Sequence, residues 1–302
     1  MRTLLNASRL LPVLLSTLVL LLSSFAGGAA RAALHEEQMD VPVQVVDRYG
    51  KPVAQKIRVT VWSDDRNPVP APVLVLNHGR ATTAEERLKL GRARYGEASR
   101  YFVGRGFIVA VPTRIGYGVS GGEDVEDAGD CRQRDYPPVF AAAADQVLTV
   151  LATVRQRPDA APDRAVLVGQ SVGGATVMAA AARNPAGVQA VFNFAGGAGG
   201  DPKNRPERPC ATAQMERLYR GFGETARVPS LWVYAENDQY FGSVYPREWF
   251  GAFRDAGGVG EFLQVPPAGD DGHLYFSRFA PLWQPAVGAF LDAHGFAFVA
   301  RP

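Results

Sequence analysis

Cysteine is close to missing from this 302-residue chain; the two present are Cys131 and Cys210. A scaffold of several disulfides is therefore excluded, and neither cysteine has histidines at the spacing of a zinc site. Histidine is also scarce, so any imidazole base must be His35, His78, His273 or His294. Net charge is nearly absent: the formal value is +2, and it includes Arg2, Arg9 and Arg31 of a leader that contains no acid. Without the leader the charge turns slightly negative, and a nucleic-acid partner loses its electrostatic footprint. Past the leader, no stretch reads as long and apolar enough to cross a bilayer. No internal repeat or low-complexity linker breaks the chain, so one large α/β domain over residues 33–302 is the economical expectation. Apolar residues at 47% and charged residues at 21% describe an ordinary globular protein.

The first 32 residues read as a signal peptide. Arg2 and Arg9 supply a basic start, residues 10–22 an apolar run broken by Pro12, and Ala30-Arg31-Ala32 a small-x-small cleavage site. An uncleaved N-terminal anchor is the alternative. The strong preference for arginine over lysine suggests a GC-rich bacterial genome, which makes the expected compartment periplasmic or extracellular. In that setting Cys131 and Cys210 are expected to pair, with two free thiols as the alternative.

Strand-like and helix-like segments alternate along the rest. Residues 41–46 and 57–62 alternate apolar and polar and read as a hairpin at a sheet edge. Short apolar runs at 73–76, 107–111, 165–168, 190–194, 231–234 and 261–265 suit strands buried on both faces. Helical segments lie at 97–103, 139–157, 175–182, 246–256 and 281–293. Residues 198–228 are irregular and polar, with one helix at 212–219, and read as a small lid-like insertion after the sixth strand. The pattern implies a mostly parallel central sheet with helices on both faces.

One stretch carries chemistry. The strand at 165–168 runs into Gly169-Gln170-Ser171-Val172-Gly173, and a helical segment follows at once. G-x-S-x-G between strand and helix is a nucleophile elbow, which presents the serine at the sheet edge and at a helix N-terminus. A serine nucleophile needs a base and an acid, expected later in the chain in the order acid, then histidine. His273 follows the strand 261–265 and is the base expected. His294 ends a helix leading away from that edge, and His78 reads as a loop-bonding residue. Asp238 follows the strand 231–234 and is the acid expected, with Glu236 as the fallback. Asp270 and Asp271 read as loop-ordering or solvated groups. The oxyanion requires two backbone N–H donors, expected from Val172 and Arg80. Arg114, Tyr117, Tyr219, Phe222, Tyr240, Phe241, Tyr275 and Phe276 fall in loops expected at the same edge, and Tyr117, Tyr240 and Phe241 are the substrate contacts chosen from them. The glycine run 196–200 lacks the register of a nucleotide-binding turn.

On these stretches, together with Asn77-His-Gly-Arg80, Pro112-Thr-Arg-Ile-Gly-Tyr-Gly-Val-Ser120 and Gly272-His273, the chain resembles the α/β-hydrolases, in particular the dienelactone hydrolase-like and prolyl oligopeptidase-like esterases. The resemblance implies Ser171, Asp238 and His273 as a triad acting on a small-molecule ester without metal or organic cofactor. Dienelactone hydrolases proper carry cysteine as nucleophile, so their lactone substrate does not transfer. A peptidase or amidase with the same triad, or a non-catalytic binding protein on the same fold, remains open.

Overall fold

The alternation along the sequence becomes one eight-stranded sheet in a computed structural model that describes residues 34–297. The expected signal peptide at 1–32 lies outside the described residues. The strands are β1 (Leu34–Val46), β2 (Pro52–Asp64), β3 (Ala71–Asn77), β4 (Ile108–Pro112), β5 (Ala160–Gln170), β6 (Val188–Phe194), β7 (Ser230–Ala235) and β8 (Gly260–Val265). Their spatial order is β1-β2-β4-β3-β5-β6-β7-β8. β1, β2 and β4 pair antiparallel at one edge, and every pairing from β4 to β8 is parallel. The edge hairpin has the expected alternation, with Val41, Val43 and Val45 buried between exposed neighbours. β3, β4 and β7 are buried along their whole length, as their continuous apolar runs require.

Successive side chains along a strand point to opposite faces, so each strand feeds two cores. Val73, Val75 and Leu167 enter the core beneath helices α3 (Tyr136–Val154), α4 (Val172–Ala181), α5 (Thr212–Thr225) and α6 (Tyr245–Asp255). Leu74, Leu76, Val166 and Val168 enter the core beneath α2 (Gly96–Gly104) and α8 (Ala280–Ala293). Two short helices, α1 (Ala84–Leu88) and α7 (Tyr275–Arg278), sit in loops. α1 was not expected from the sequence, although Thr83 and Glu86 form a reciprocal capping box that its spacing encodes.

Two expectations change. Residues 198–228 are not one insertion, because α5 buries Met215, Leu218 and Tyr219 against α6 and the core, as the crossover between β6 and β7 must. Only the segment before α5 approaches the cavity described below. Secondly, α3, at 19 residues, is long and apolar enough to cross a bilayer, contrary to the reading of the sequence. Its Phe140, Ala144, Val147 and Leu151 are buried under the sheet, so its apolarity serves the core.

Candidate active site

β5 ends at Gln170 and α4 begins at Val172, leaving Ser171 as the whole turn between them. Ser171 has φ 57° and ψ −127°, a conformation that non-glycine residues adopt only where the surroundings impose it. Those surroundings are the two flanking glycines. A Cβ on Gly169 would strike the Gly173 carbonyl, and one on Gly173 would strike the Asn77 carbonyl across β3. Ser171 N–H donates to Phe194 O at 2.9 Å, and its carbonyl accepts from Gly174 and Gly197, which pins the turn on both sides. The side chain is 7% exposed, and its hydroxyl has no protein hydrogen-bond partner among the described residues. Val172 opens α4, so its N–H has no acceptor within the helix.

His273 and Asp238 meet at the ends of β8 and β7. His273 Nδ1 lies 3.0 Å from Asp238 Oδ2 and 3.1 Å from Oδ1, with the carboxylate fully buried. Asp238 Oδ1 also accepts from the Tyr240 and Phe241 amides at 2.8 and 3.0 Å. A carboxylate on Nδ1 fixes the tautomer and leaves Nε2 free to take a proton. The ring lies against Tyr240, centroids 4.0 Å apart, with Phe241 edge-on. Glu236, the fallback acid, is exposed. Asp271 orders the loop, accepting from the amides of Gln239 and His273.

The loop after β3 runs beside the serine. Gly79 has room for no side chain there, since a Cβ would sit 2.9 Å from Ser171 Cβ. His78 is buried and uses both ring nitrogens on backbone: Nδ1 donates to Gly79 O at 2.7 Å and Nε2 accepts from Arg114 N–H at 3.1 Å. Burial first, and then the Arg114 charge, lower its pKa to about 3, so it stays neutral and cannot act as the base. His294 donates to Phe290 O and His35 pairs with Asp65, both away from the site.

Tyr117 does not face a ligand. It is fully buried, donates to Glu126 Oε2 at 2.6 Å and accepts from Arg80 at 3.1 Å. It belongs to an ionic cluster that the sequence did not reveal: Arg114 pairs with Glu126, both wholly buried, while Arg80 and Arg87 share Asp124. Arg114 also donates to His78 O at 2.7 Å, so the cluster supports the loop beneath Arg80. Burial would raise the Glu126 pKa, but the charges and hydrogen bonds of Arg114, Arg80 and Tyr117 outweigh it and hold the group at about 2. Tyr219 lies in the core, and Tyr275 and Phe276 lie in α7.

Two cavities meet at the serine. One, of about 500 Å³, is lined by Ser171, Val172, Tyr136, Phe140, Tyr240 and Phe241 among others, with Gly197–Gly200 as part of its wall. The other, of about 450 Å³, is lined by Ser171, His273, Tyr95, Leu90 and Phe276 among others. Ser171, Tyr240 and Arg80 border both. The structure therefore brings Ser171, His273, Tyr240 and Phe241 to one site, with Asp238 behind the imidazole, and leaves Tyr117 outside it. Cys131 and Cys210 are joined in a disulfide with Cα atoms 5.4 Å apart, and the Cys210 amide bonds Gly199 O in the cavity wall.

Comparison with known proteins follows the same lines. Residues 69–247 match the family model for serine aminopeptidase, S33. No curated protein matches the chain. Among solved structures, the chain is similar to Est1E from Butyrivibrio proteoclasticus with ferulic acid bound, at 20% identity and TM-score 0.56, covering 80% of this chain and 96% of that one. It is similar to a putative dienelactone hydrolase from Klebsiella pneumoniae at 13% identity and TM-score 0.56, covering 87% and 98%. An acetyl xylan esterase from Paenibacillus sp. R4 gives 16% identity and TM-score 0.54, covering 87% and 89%. At such identities these structures share the fold with this chain.

Proposed function

Because this chain belongs to the S33 serine aminopeptidase family of α/β-hydrolases, we propose that it is a serine hydrolase that cleaves carboxylic esters by acyl transfer. One observation carries the reading: the His273–Asp238 pair opens onto the same cavity as a serine held on a strained elbow. In this scheme His273 Nε2 accepts the Ser171 proton as Oγ attacks the ester carbonyl. The Val172 and Arg80 N–H groups hold the oxyanion, and His273 returns the proton to the departing alcohol oxygen. Water, activated by the same imidazole, then attacks the acyl-enzyme carbonyl and releases the acid and the free serine.

The two cavities divide the substrate. The alcohol oxygen must reach His273 to be protonated, and His273 lines only the smaller cavity. We read that space as the alcohol side and the larger one, walled by Tyr136, Phe140 and Phe241, as the acyl side, suited to an apolar or aromatic group.

The family name favours a second reading, aminopeptidase. A free α-amino group needs an uncommitted carboxylate, and the acids lining the larger cavity already face guanidinium groups: Glu126 faces Arg114, Asp124 faces Arg80 and Arg87, and Asp127 faces Arg48. That favours the ester. Comparing p-nitrophenyl esters with aminoacyl-anilides on the purified protein decides: turnover of esters alone supports the proposal, and preferential turnover of anilides overturns it. We further read the protein as exported to the periplasm or medium. Mass analysis of the N-terminus from the native host tests this, with cleavage after Ala32 as the expected result and an intact Met1 in the cytosol as the contrary one.

A further inference from the structure

Gln170 precedes the serine, and its side chain has two partners that the scheme above leaves unused. Its Nε2 donates to the backbone carbonyl of His273 at 2.9 Å. Its Oε1 accepts from the Tyr95 hydroxyl at 3.1 Å. Tyr95 is half-buried, with its ring packed against the core beneath α2 and α8. Tyr95 and Gln170 thus link the start of α2, the serine elbow and the histidine loop, three segments that are far apart along the chain.

Tyr95 is itself held in an unfavourable conformation. Its φ is 44° and its ψ 49°, left-handed values that a bulky residue keeps only where surroundings impose them. Two contacts impose it: the Tyr95 carbonyl accepts from Ser99 N–H at 2.8 Å as α2 begins, and the ring packs on Phe276, centroids 5.6 Å apart. Burial raises its pKa to about 12, so the hydroxyl stays protonated and able to donate to Gln170. The Arg80 N–H, in the loop after β3, has no protein acceptor among the described residues.

We propose that Tyr95 is a positioning residue for acyl transfer, whose hydroxyl, acting through Gln170, sets the spacing between Ser171 and His273. The inference rests on the function proposed above. Tyr95→Phe removes one oxygen and leaves the ring in place. It strands the Gln170 carbonyl and loosens the side chain that ties the serine elbow to the histidine loop.

The test uses the full mature chain and a soluble p-nitrophenyl ester, with active sites titrated by a fluorophosphonate. For Tyr95→Phe, kcat per titrated site falls about tenfold while KM stays within about twofold, the pattern of misplaced catalytic groups rather than lost substrate binding. Gln170→Met breaks the tie from its other end and gives the same split. The double variant is no worse than the poorer single one, because both cut one connection. A merely structural tyrosine would lower the titratable fraction and leave kcat per site unchanged, and that result overturns the inference while leaving the proposed function standing. Should Tyr95→Phe fail to fold, Gln170→Met alone decides in the same way. Wild-type protein that neither titrates nor turns over the ester overturns the proposed function, and this inference falls with it.

Discussion

His273 and Asp238 lie 35 residues apart along the chain, yet Nδ1 of one sits 3.0 Å from Oδ2 of the other, inside a carboxylate site that also takes two backbone amides. The Tyr240 and Phe241 amides hold the carboxylate, the carboxylate holds the imidazole, and the Tyr240 ring stacks on it. Aim is thus built into the imidazole before any substrate arrives.

Asp238→Asn tests that aim. The amide keeps the shape and can still accept from the Tyr240 and Phe241 amides, but it donates toward Nδ1 and stabilises the wrong tautomer. The expected loss in kcat is about 10³- to 10⁴-fold with little change in melting temperature. Steady-state kinetics beside a thermal melt check both halves.

Gly173→Ala tests the elbow. The added methyl would strike the Asn77 and His78 carbonyls, which belong to β3 and the loop after it and cannot move aside cheaply. Destabilisation of about 1–3 kcal/mol or more is expected, and activity should fall further than the folded fraction does. Chemical denaturation measures the first and site titration the second.

The Arg114–Glu126 pair predicts a response to acid. Its carboxylate is held at about 2 in the folded protein, well below its ordinary value, so the stabilisation is complete above about pH 4.5 and is lost as pH falls toward 2. Glu126→Gln leaves a buried guanidinium without its counter-charge and should cost about 3–5 kcal/mol at pH 7. The gap between wild type and variant in urea titrations should narrow between pH 4.5 and 3.

The Cys131–Cys210 bridge closes a loop with a sequence separation of 79, and removing it should cost about 4 kcal/mol in the chain-entropy model. Intact-mass analysis should show two hydrogens gained on reduction. The double Cys→Ala variant should melt lower and bind acyl groups more weakly, since Cys210 supports Gly199 in the cavity wall.

Much of this architecture was legible because it follows from local patterns. Strand runs, G-x-S-x-G and the order Ser171, Asp238, His273 are properties of short stretches, and the sheet topology turns that order into proximity. What stayed hidden depends on long-range burial. Tyr117 looked like an edge aromatic because a glycine-rich loop reads as exposed, whereas Glu126 and Arg114 draw it inward. Helix α5 read as part of an insertion because its polar face dominates the composition, while Met215, Leu218 and Tyr219 reach the core. Tyr95 gave no signal at all, since the partner of its hydroxyl, Gln170, ends a strand 75 residues further along the chain.

Ser171→Ala bears on the central claim, and peptide mapping after fluorophosphonate treatment bears on it most directly. The account predicts one adduct, on the peptide containing Ser171, its rate sharply lower in His273→Asn, and both adduct and ester turnover lost in Ser171→Ala by about 10⁴-fold or more. An adduct on another residue, or ester turnover that survives Ser171→Ala, would contradict it.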